Sequence, residues 1–301
     1  MISLKPDFFK EEIRCGFTVC EEMKRAWAAE MEVLSEVIAV CKKYGLTYYA
    51  DYGTLLGTVR HHGFVPWDDD IDIALKRKDF ERLFQVPPQE LPAEYGINSY
   101  ITSTDHHQPW GSVTNSQYIT WDTERTEKFY GCPYVVGIDI YPLDYLPRDK
   151  EMAQAQIALY NAVYDGAQRY DELAASGELE QYIPQLEELC RVSFRRDQPL
   201  QDQLWRLSDR IAAMAVEDES DYLTLYTRIV LGDLDFKLKK EWYSDTVELP
   251  FECMKVAVPK NYREVLTVLY GDYETPVQGQ SAHDYPFYNR QKEIFKSMGK
   301  M

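Results

Sequence analysis

The sequence contains no run of about eighteen apolar residues, the length needed to span a bilayer as a helix. Its opening stretch, MISLKPDFFKEEIR, is charged and interrupted by Pro6, with none of the apolar core of a signal peptide. These absences predict a chain that neither crosses a membrane nor leaves by the usual secretory route. The six cysteines, Cys15, Cys20, Cys41, Cys132, Cys190 and Cys253, form no CxxC pair and have no histidine at metal spacing. Buried thiols in a reducing cytosol are the plainer reading than disulfides or zinc. Positive charge is scarce, with 33 Lys and Arg against 50 Asp and Glu, a net charge of −17. Duplex DNA is bound by basic side chains that replace its condensed counterions, and the field of this chain repels it. No nucleic-acid partner is expected. A small phosphorylated ligand is not excluded, because a local basic patch suffices for it and a divalent cation commonly mediates such an encounter. Internal repeats and low-complexity tracts are also missing.

What the 301 residues do contain is a sizeable apolar fraction, 45%, enough for one large core or two modest ones. Apolar positions including Val19, Met23, Trp27, Met31, Leu34 and Cys41 recur at three and four residues, which predicts a helix from about Pro6 to Tyr44, stopped by Gly45. Leu46 to Ala50 reads as a strand, Asp51 to Thr54 as a turn, and Leu55 to Arg60 as a short helix. From Asp70 polar and apolar residues alternate, which predicts a half-buried strand, and Lys76 to Phe84 continues as a helix. Short strands are expected near Ile97 to Thr102 and Gln117 to Asp122, and a longer one over Tyr134 to Tyr141, ended by Pro142. Residues 149 to about 230 are rich in Ala, Leu, Gln and Glu and read as several helices. A hairpin over Glu248 to Val258 precedes a helix from Asn261 to Tyr270 that Gly271 closes. The fold class is α+β. The expected division is a catalytic core with its N-terminal helix over 1–148, a helical subdomain over 149–245, and a hairpin and helix over 246–301 packing back on the core.

Three features carry chemistry. Gly53-Thr54 lies between a strand and a helix, where a glycine admits a phosphate close to the backbone and a hydroxyl adds a donor. By itself such a pair is more often only a cap. Asp70 and Asp72, two apart on a strand, project from one face with Cα atoms about 7 Å apart. Two carboxylates so placed repel unless a cation lies between them, and Mg2+ or Mn2+ favours carboxylate, water and phosphate oxygens. A solvated acidic loop is the alternative, against which Ile71, Ile73 and Trp67 argue for burial. Asp139 stands in the apolar strand Ile138-Asp139-Ile140, where an isolated carboxylate is costly. It is either a structural acceptor or a partner of Asp70 and Asp72 on a neighbouring strand.

The run GTLLGTVRHHGFVPWDDDIDI, residues 53 to 73, resembles the hallmark of the LicD family, which includes bacterial phosphocholine transferases and, more distantly, fukutin and fukutin-related protein. GIDIYPLD, residues 137 to 144, and residues 249 to 276 resemble its later blocks, so the similarity extends from about residue 30 to about residue 285 and leaves the helical middle unmatched. The resemblance implies a nucleotidyltransferase-like mixed sheet with flanking helices. It implies a CDP-linked donor (CDP-choline, CDP-ribitol or CDP-glycerol), a glycan or lipid-linked saccharide acceptor, and release of CMP during modification of cell-surface polysaccharide, teichoic acid or lipopolysaccharide. Asp70, Asp72 and Asp139 would then be catalytic and hold Mg2+ or Mn2+, with Asp139 alternatively accepting the proton of the incoming hydroxyl. Asp68 would support them, and Gly53, Thr54 and Arg60 would contact the donor's phosphates. For Arg60 a surface salt bridge is the competing role, and His61 and His62 are read as structural.

Two rivals remain at this point: a nucleotidyltransferase releasing pyrophosphate, and a non-catalytic metal-binding scaffold in glycan assembly. Aromatics such as Trp110, Trp121, Tyr130, Tyr134, Tyr141 and Tyr145 are compatible with a quaternary ammonium without demanding one. The YPFYNRQ stretch after His283 has no assigned role. The expected address is cytoplasmic, with peripheral contact at the inner membrane face if the acceptor is lipid-linked.

Overall fold

A computed structural model describes residues 2–278 and 285–300, so His283 lies outside the described residues. The first correction falls at the N-terminus. Pro6–Phe9 is a single 3-10 turn, followed by a hairpin of β1 (Glu12–Arg14) and β2 (Phe17–Val19), and only α1 (Glu21–Tyr44) is helical. The hairpin's two-residue turn, Cys15-Gly16, has φ of 50° and 78°, the doubly left-handed turn that matches the twist of paired strands. The apolar residues Phe17 and Val19 therefore obey a period of two that runs without a break into the helical period of α1. That helix buries Met23, Trp27, Met31, Leu34 and Val37 and ends at Gly45, which is left-handed at φ 62°.

The central sheet is mixed. β3 (Tyr48–Ala50) leads to α2 (Tyr52–His61), and β4 (Asp72–Lys76) leads to α3 (Arg77–Phe84). β5 (Gly96–Asn98), β6 (Gly111–Thr114) and α4 (Thr123–Lys128) precede the long β7 (Gly137–Leu146). The strand order is β3-β4-β7-β6-β5, with β4 and β7 parallel and the other pairs antiparallel. The expected strand at Gln117 to Asp122 is absent. Tyr118 is 73% exposed with no sheet beside it, and the pairing strand is Gly111–Thr114 instead. Nor does Pro142 end β7. It falls between Ile140, the last residue paired with β6, and Asp144, the first paired with a later strand, so its lack of an N–H is tolerated. β4 was expected to be half-buried from Asp70; it begins at Asp72 and is buried at four of its five residues, because neighbours cover both faces.

The helices α5 (Lys150–Gln168), α6 (Tyr170–Ser176), α7 (Leu179–Cys190) and α8 (Leu200–Ala212) follow. The helical run stops there, earlier than the expected residue 230. β8 (Tyr222–Thr224) adds to β7, α9 (Tyr226–Val230) follows, and β9 (Leu238–Lys239) pairs with β8. Three-residue strands carry too little periodicity to be read from sequence. Arg77 ties these parts together. Its Nε and Nη2 donate to Asp144 of β7 at 2.6 and 2.9 Å, and its Nη1 to Asp209 of α8 at 2.7 Å.

The hairpin of β10 (Thr246–Phe251) and β11 (Met254–Pro259) leads to α10 (Tyr262–Tyr270) and Gly271, as expected. Tyr48 of β3 accepts from the Ala257 amide at 3.1 Å. α11 (Asn289–Ser297) buries Phe295 beside Trp121 and Tyr134. Among the described residues no helix is long and apolar enough to cross a membrane.

Candidate active site

The parallel pairing of β4 with β7 sets Asp72 directly opposite Asp139. Like charges in that register oppose strand pairing, so the sequence places here an arrangement that the sheet alone does not favour. Asp70 stands two residues ahead of β4, in the loop Asp68-Asp69-Asp70, rather than on the strand itself. Carboxylate oxygens of Asp68, Asp69 and Asp70 lie within 4.8 Å of one another, the one trio of that kind among the described residues. Asp72 is buried, its Oδ1 has no hydrogen-bond partner, and its carboxyl is held well above the usual range by desolvation and then by Asp70, Asp139, Asp68 and Asp51. Asp68, half-buried, is raised by desolvation and by its hydrogen-bonded neighbour Asp70.

Gly53 and Thr54 open α2 beside this cluster. A Cβ on Gly53 would lie 2.0 Å from Asp68 Oδ2, so the glycine is required by the acid packed on it, a constraint separate from any approach of phosphate. Thr54 Oγ1 accepts from the Asp72 amide at 2.8 Å, which fixes the start of β4 and leaves the hydroxyl proton available to donate. Tyr52, at the first position of α2, has φ 40°, a strained left-handed conformation for a bulky residue. Its hydroxyl bonds Thr227 at 2.7 Å and its ring meets Tyr141 edge-on at 5.1 Å. Tyr141 in turn faces Trp110 at 5.5 Å, and its hydroxyl is held in the protonated form by burial and by Asp72 and Asp139.

Arg60 lies in the last turn of α2. Its Nε donates to His61 Nε2 at 2.9 Å and its Nη1 to the Tyr273 carbonyl at 2.9 Å, so it ties α2 to the segment after α10. His61 is pushed down to about 4 by burial, with Arg60, Arg14 and His62 adding to the effect, and stays neutral near pH 7. Both histidines serve the turn: His62 has φ 56°, and its carbonyl accepts from the Glu252 amide at 2.7 Å.

Three acids of the site were not singled out from sequence. Glu30 of α1 is fully buried and raised well above the carboxylate range, first by desolvation and then by Asp70, Asp69, Asp68 and Asp139. A charged residue on the buried stripe of Trp27 and Met31 was the available signal. Trp27 Nε1 also donates to the Asp68 carbonyl at 3.0 Å, so α1 underlies the acidic loop. Asp51, between β3 and α2, has both carboxylate oxygens buried without a hydrogen bond, and burial pushes it up to about 7, offset only in part by the nearby Tyr52 amide and Arg228. Asp69 accepts from the Phe287 amide at 2.6 Å, which brings the unassigned YPFYNRQ stretch onto the acidic loop.

This geometry suits a hard divalent cation. All donors are oxygens, the acids crowd one another, and a buried oxygen of Asp72 has no partner. Residues 45–166 match the family model of the LicD/FKTN/FKRP nucleotidyltransferase domain. That stretch is LicD-like. The LicD-type segment covers α2, β4 and β7 and so contains every carboxylate discussed above except Glu30. The chain is 23% identical to the lipopolysaccharide cholinephosphotransferase LicD of Haemophilus influenzae over 271 residues, 84% of this chain and 92% of that protein. It is 24% identical to the ribitol 5-phosphate transferase FKRP of Homo sapiens over 160 residues, 48% of this chain and 28% of that protein. Both relatives are transferases of phosphate-containing groups.

Proposed function

We propose that this protein transfers a phospho-alcohol from a CDP-linked donor to a glycan hydroxyl and releases CMP. The observation that carries the reading is the acidic cluster built by Asp68, Asp70, Asp72 and Asp139 at the start of the paired strands β4 and β7, with the α2 N-terminus against it. Asp70, Asp72 and Asp139 are the residues that would hold Mg2+ or Mn2+, with Asp68 in support. When bound, the cation offsets charge on the diphosphate and on the leaving CMP.

The chain's own residues do the remaining work. The amides at the start of α2 and the Thr54 hydroxyl offer donors to the diphosphate, and Tyr52, Tyr141 and Trp110 wall the site with aromatic surface that excludes water. In the transfer step the acceptor oxygen forms a bond to the distal phosphorus while the bond from that phosphorus to CMP breaks. The hydroxyl proton passes to a nearby carboxylate, for which Asp139 is the candidate. Phosphoryl chemistry of this kind rests on positioning and charge stabilisation. The acceptor is a glycan or lipid-linked saccharide, and a cytoplasmic location with peripheral membrane contact belongs to the same reading.

A thermal-shift panel with Mg2+ tests it, comparing CDP-choline, CDP-ribitol and CDP-glycerol with nucleoside triphosphates. A ligand at a hundred times its Kd adds about 2.7 kcal/mol. For 301 residues that is a rise in Tm of roughly 4 °C. Stabilisation by one CDP-alcohol that needs Mg2+ and is lost in Asp70→Asn supports the proposal. Response to triphosphates alone would replace it with nucleotidyl transfer, and no response to any ligand would favour a non-catalytic scaffold.

A further inference from the structure

A groove of about 360 Å³ opens beside the helical segment, with most of its lining outside residues 45–166, the stretch matched by the family model. Its walls are Tyr100, Val192, Phe194, Gln203, Arg206 and Arg210, drawn from the turn after β5, the loop after α7, and α8. Gln203 holds that loop in place, accepting from the Arg195 amide at 2.8 Å and donating to the Arg195 carbonyl at 2.8 Å. The groove is therefore built by specific contacts. It also shares Tyr100 and Asp209 with a second, narrow cavity of about 10 Å³ that reaches Tyr141, Tyr226 and Thr227. Tyr141 lies within the influence of Asp72 and Asp139, so the groove leads by contiguous residues toward the acidic cluster.

Its charge is opposite to that of the molecule. In a chain of net charge −17, its lining holds Arg206 and Arg210 against one acid, Asp209. Asp209, the acid in the lining, is engaged by Arg77. Arg206 donates through Nη2 to the Ser103 carbonyl at 2.8 Å and keeps its charge unopposed, and exposed Arg210 has no ion-pair partner among the described residues. Tyr100 and Phe194, buried to 7% and 8% exposure, give the groove an apolar floor beside planar, multidentate donors, a combination that suits a sugar ring with an attached anion.

The geometry points to this groove as the binding site of the acceptor, a saccharide that carries an anionic group, phosphate in the first instance. The identity of the ligand as acceptor rests on the transfer reading above, and the binding itself does not. The test is calorimetric titration of the full chain with trehalose 6-phosphate, trehalose and inorganic phosphate. Trehalose 6-phosphate is expected to bind about tenfold more tightly than either fragment, Arg210→Glu to weaken it by about tenfold or more, and Arg210→Lys to retain most of it. Asp72→Asn should leave this binding unchanged. Equal affinity in Arg210→Glu, equal affinity for the phosphorylated and neutral sugars, equal affinity for inorganic phosphate, or no binding of trehalose 6-phosphate would each overturn the assignment. Loss of CDP-alcohol response with intact groove binding would count against the proposed transfer alone. Transfer that is insensitive to Arg210→Glu would count against the groove alone.

Discussion

Asp51 is held in a state that costs the fold, and replacing it should therefore stabilise the protein. Its side chain is buried at 2% exposure, neither oxygen has a hydrogen-bond partner, and it is pushed up to about 7 from the ordinary 3.8. A carboxyl raised in this way is protonated in the folded chain while the unfolded chain is already ionised. Stability is intact below about pH 3.8, falls as the pH rises, and has lost its full amount once the pH passes about 7. At about 1.4 kcal/mol per pH unit across that interval, the penalty above pH 7 is about 4 kcal/mol. Asparagine keeps the shape and removes the ionisation. With an unfolding entropy of about 2.1 cal/mol/K per residue over 301 residues, Asp51→Asn should raise Tm by about 6 °C at pH 8.

The pH dependence discriminates this cause from any other. At pH 5 the gain should shrink to about 2 kcal/mol, because the native carboxyl is then protonated and only the ionisation of the unfolded chain still contributes. Urea unfolding of wild type and Asp51→Asn at pH 5 and pH 8, in metal-free buffer, reads both values. A variant less stable than wild type at pH 8, or a difference that does not change between the two pH values, would refute the reasoning. Either result would mean that the ionised carboxylate has a partner in the folded protein.

Arg77→Met leaves Asp144 buried at 1% exposure without its bidentate partner and should cost about 3–5 kcal/mol by urea unfolding, most of it recovered when Asp144→Leu is added. Gly53→Ala should fold with near-wild-type Tm, since the clash is with the movable end of Asp68, yet lose most of the Mg2+-dependent thermal shift because that carboxylate is displaced. In Gly57→Ala the new Cβ would lie 2.3 Å from the backbone carbonyl of Gly63, which has no such freedom, and a loss of about 1–3 kcal/mol is expected without any ligand. His61→Gln should leave the profile of transfer activity between pH 5 and pH 8 unchanged, because His61 is already neutral across that range.

The parts of this protein legible in its sequence are those set by short-range rules. The Gly45 and Gly271 stops follow from conformations available near one residue, and the β10–β11 hairpin and α3 follow from local period. The strand at Gly111–Thr114 failed the same test. Gly111 is used because its Cβ would meet the Phe84 ring at 2.2 Å, a contact with a helix far away in the chain. β8 depends likewise on an open edge beside Asp144 to Leu146 and has no pattern of its own. Long-range packing, which the local pattern does not encode, decided both.

The acidic site divides along the same line, and the division explains its chemistry. Asp70 and Asp72 are neighbours in sequence and were visible as a pair, whereas the opposition of Asp72 to Asp139 needed the parallel register of β4 and β7. Glu30 enters from α1 and Asp51 from the junction of β3 and α2, so carboxylates from α1, β4, β7, that junction and the loop before β4 converge where each alone had an ordinary explanation. Gly53 shows how closely they are fitted: the residue expected to admit a phosphate also makes room for Asp68. A fold that brings like charges together from separate elements, and reserves a glycine to do so, carries a standing electrostatic cost in the absence of a cation. That cost is the physical reason to expect metal binding and stability to be coupled here. The Mg2+-dependent shift should accordingly shrink when any one of Asp68, Asp70, Asp72 or Asp139 is made neutral, while the metal-free Tm of the same variants rises. A metal-free Tm that falls in all four would mean that these carboxylates are satisfied within the chain, and the argument for a cation would lose its basis.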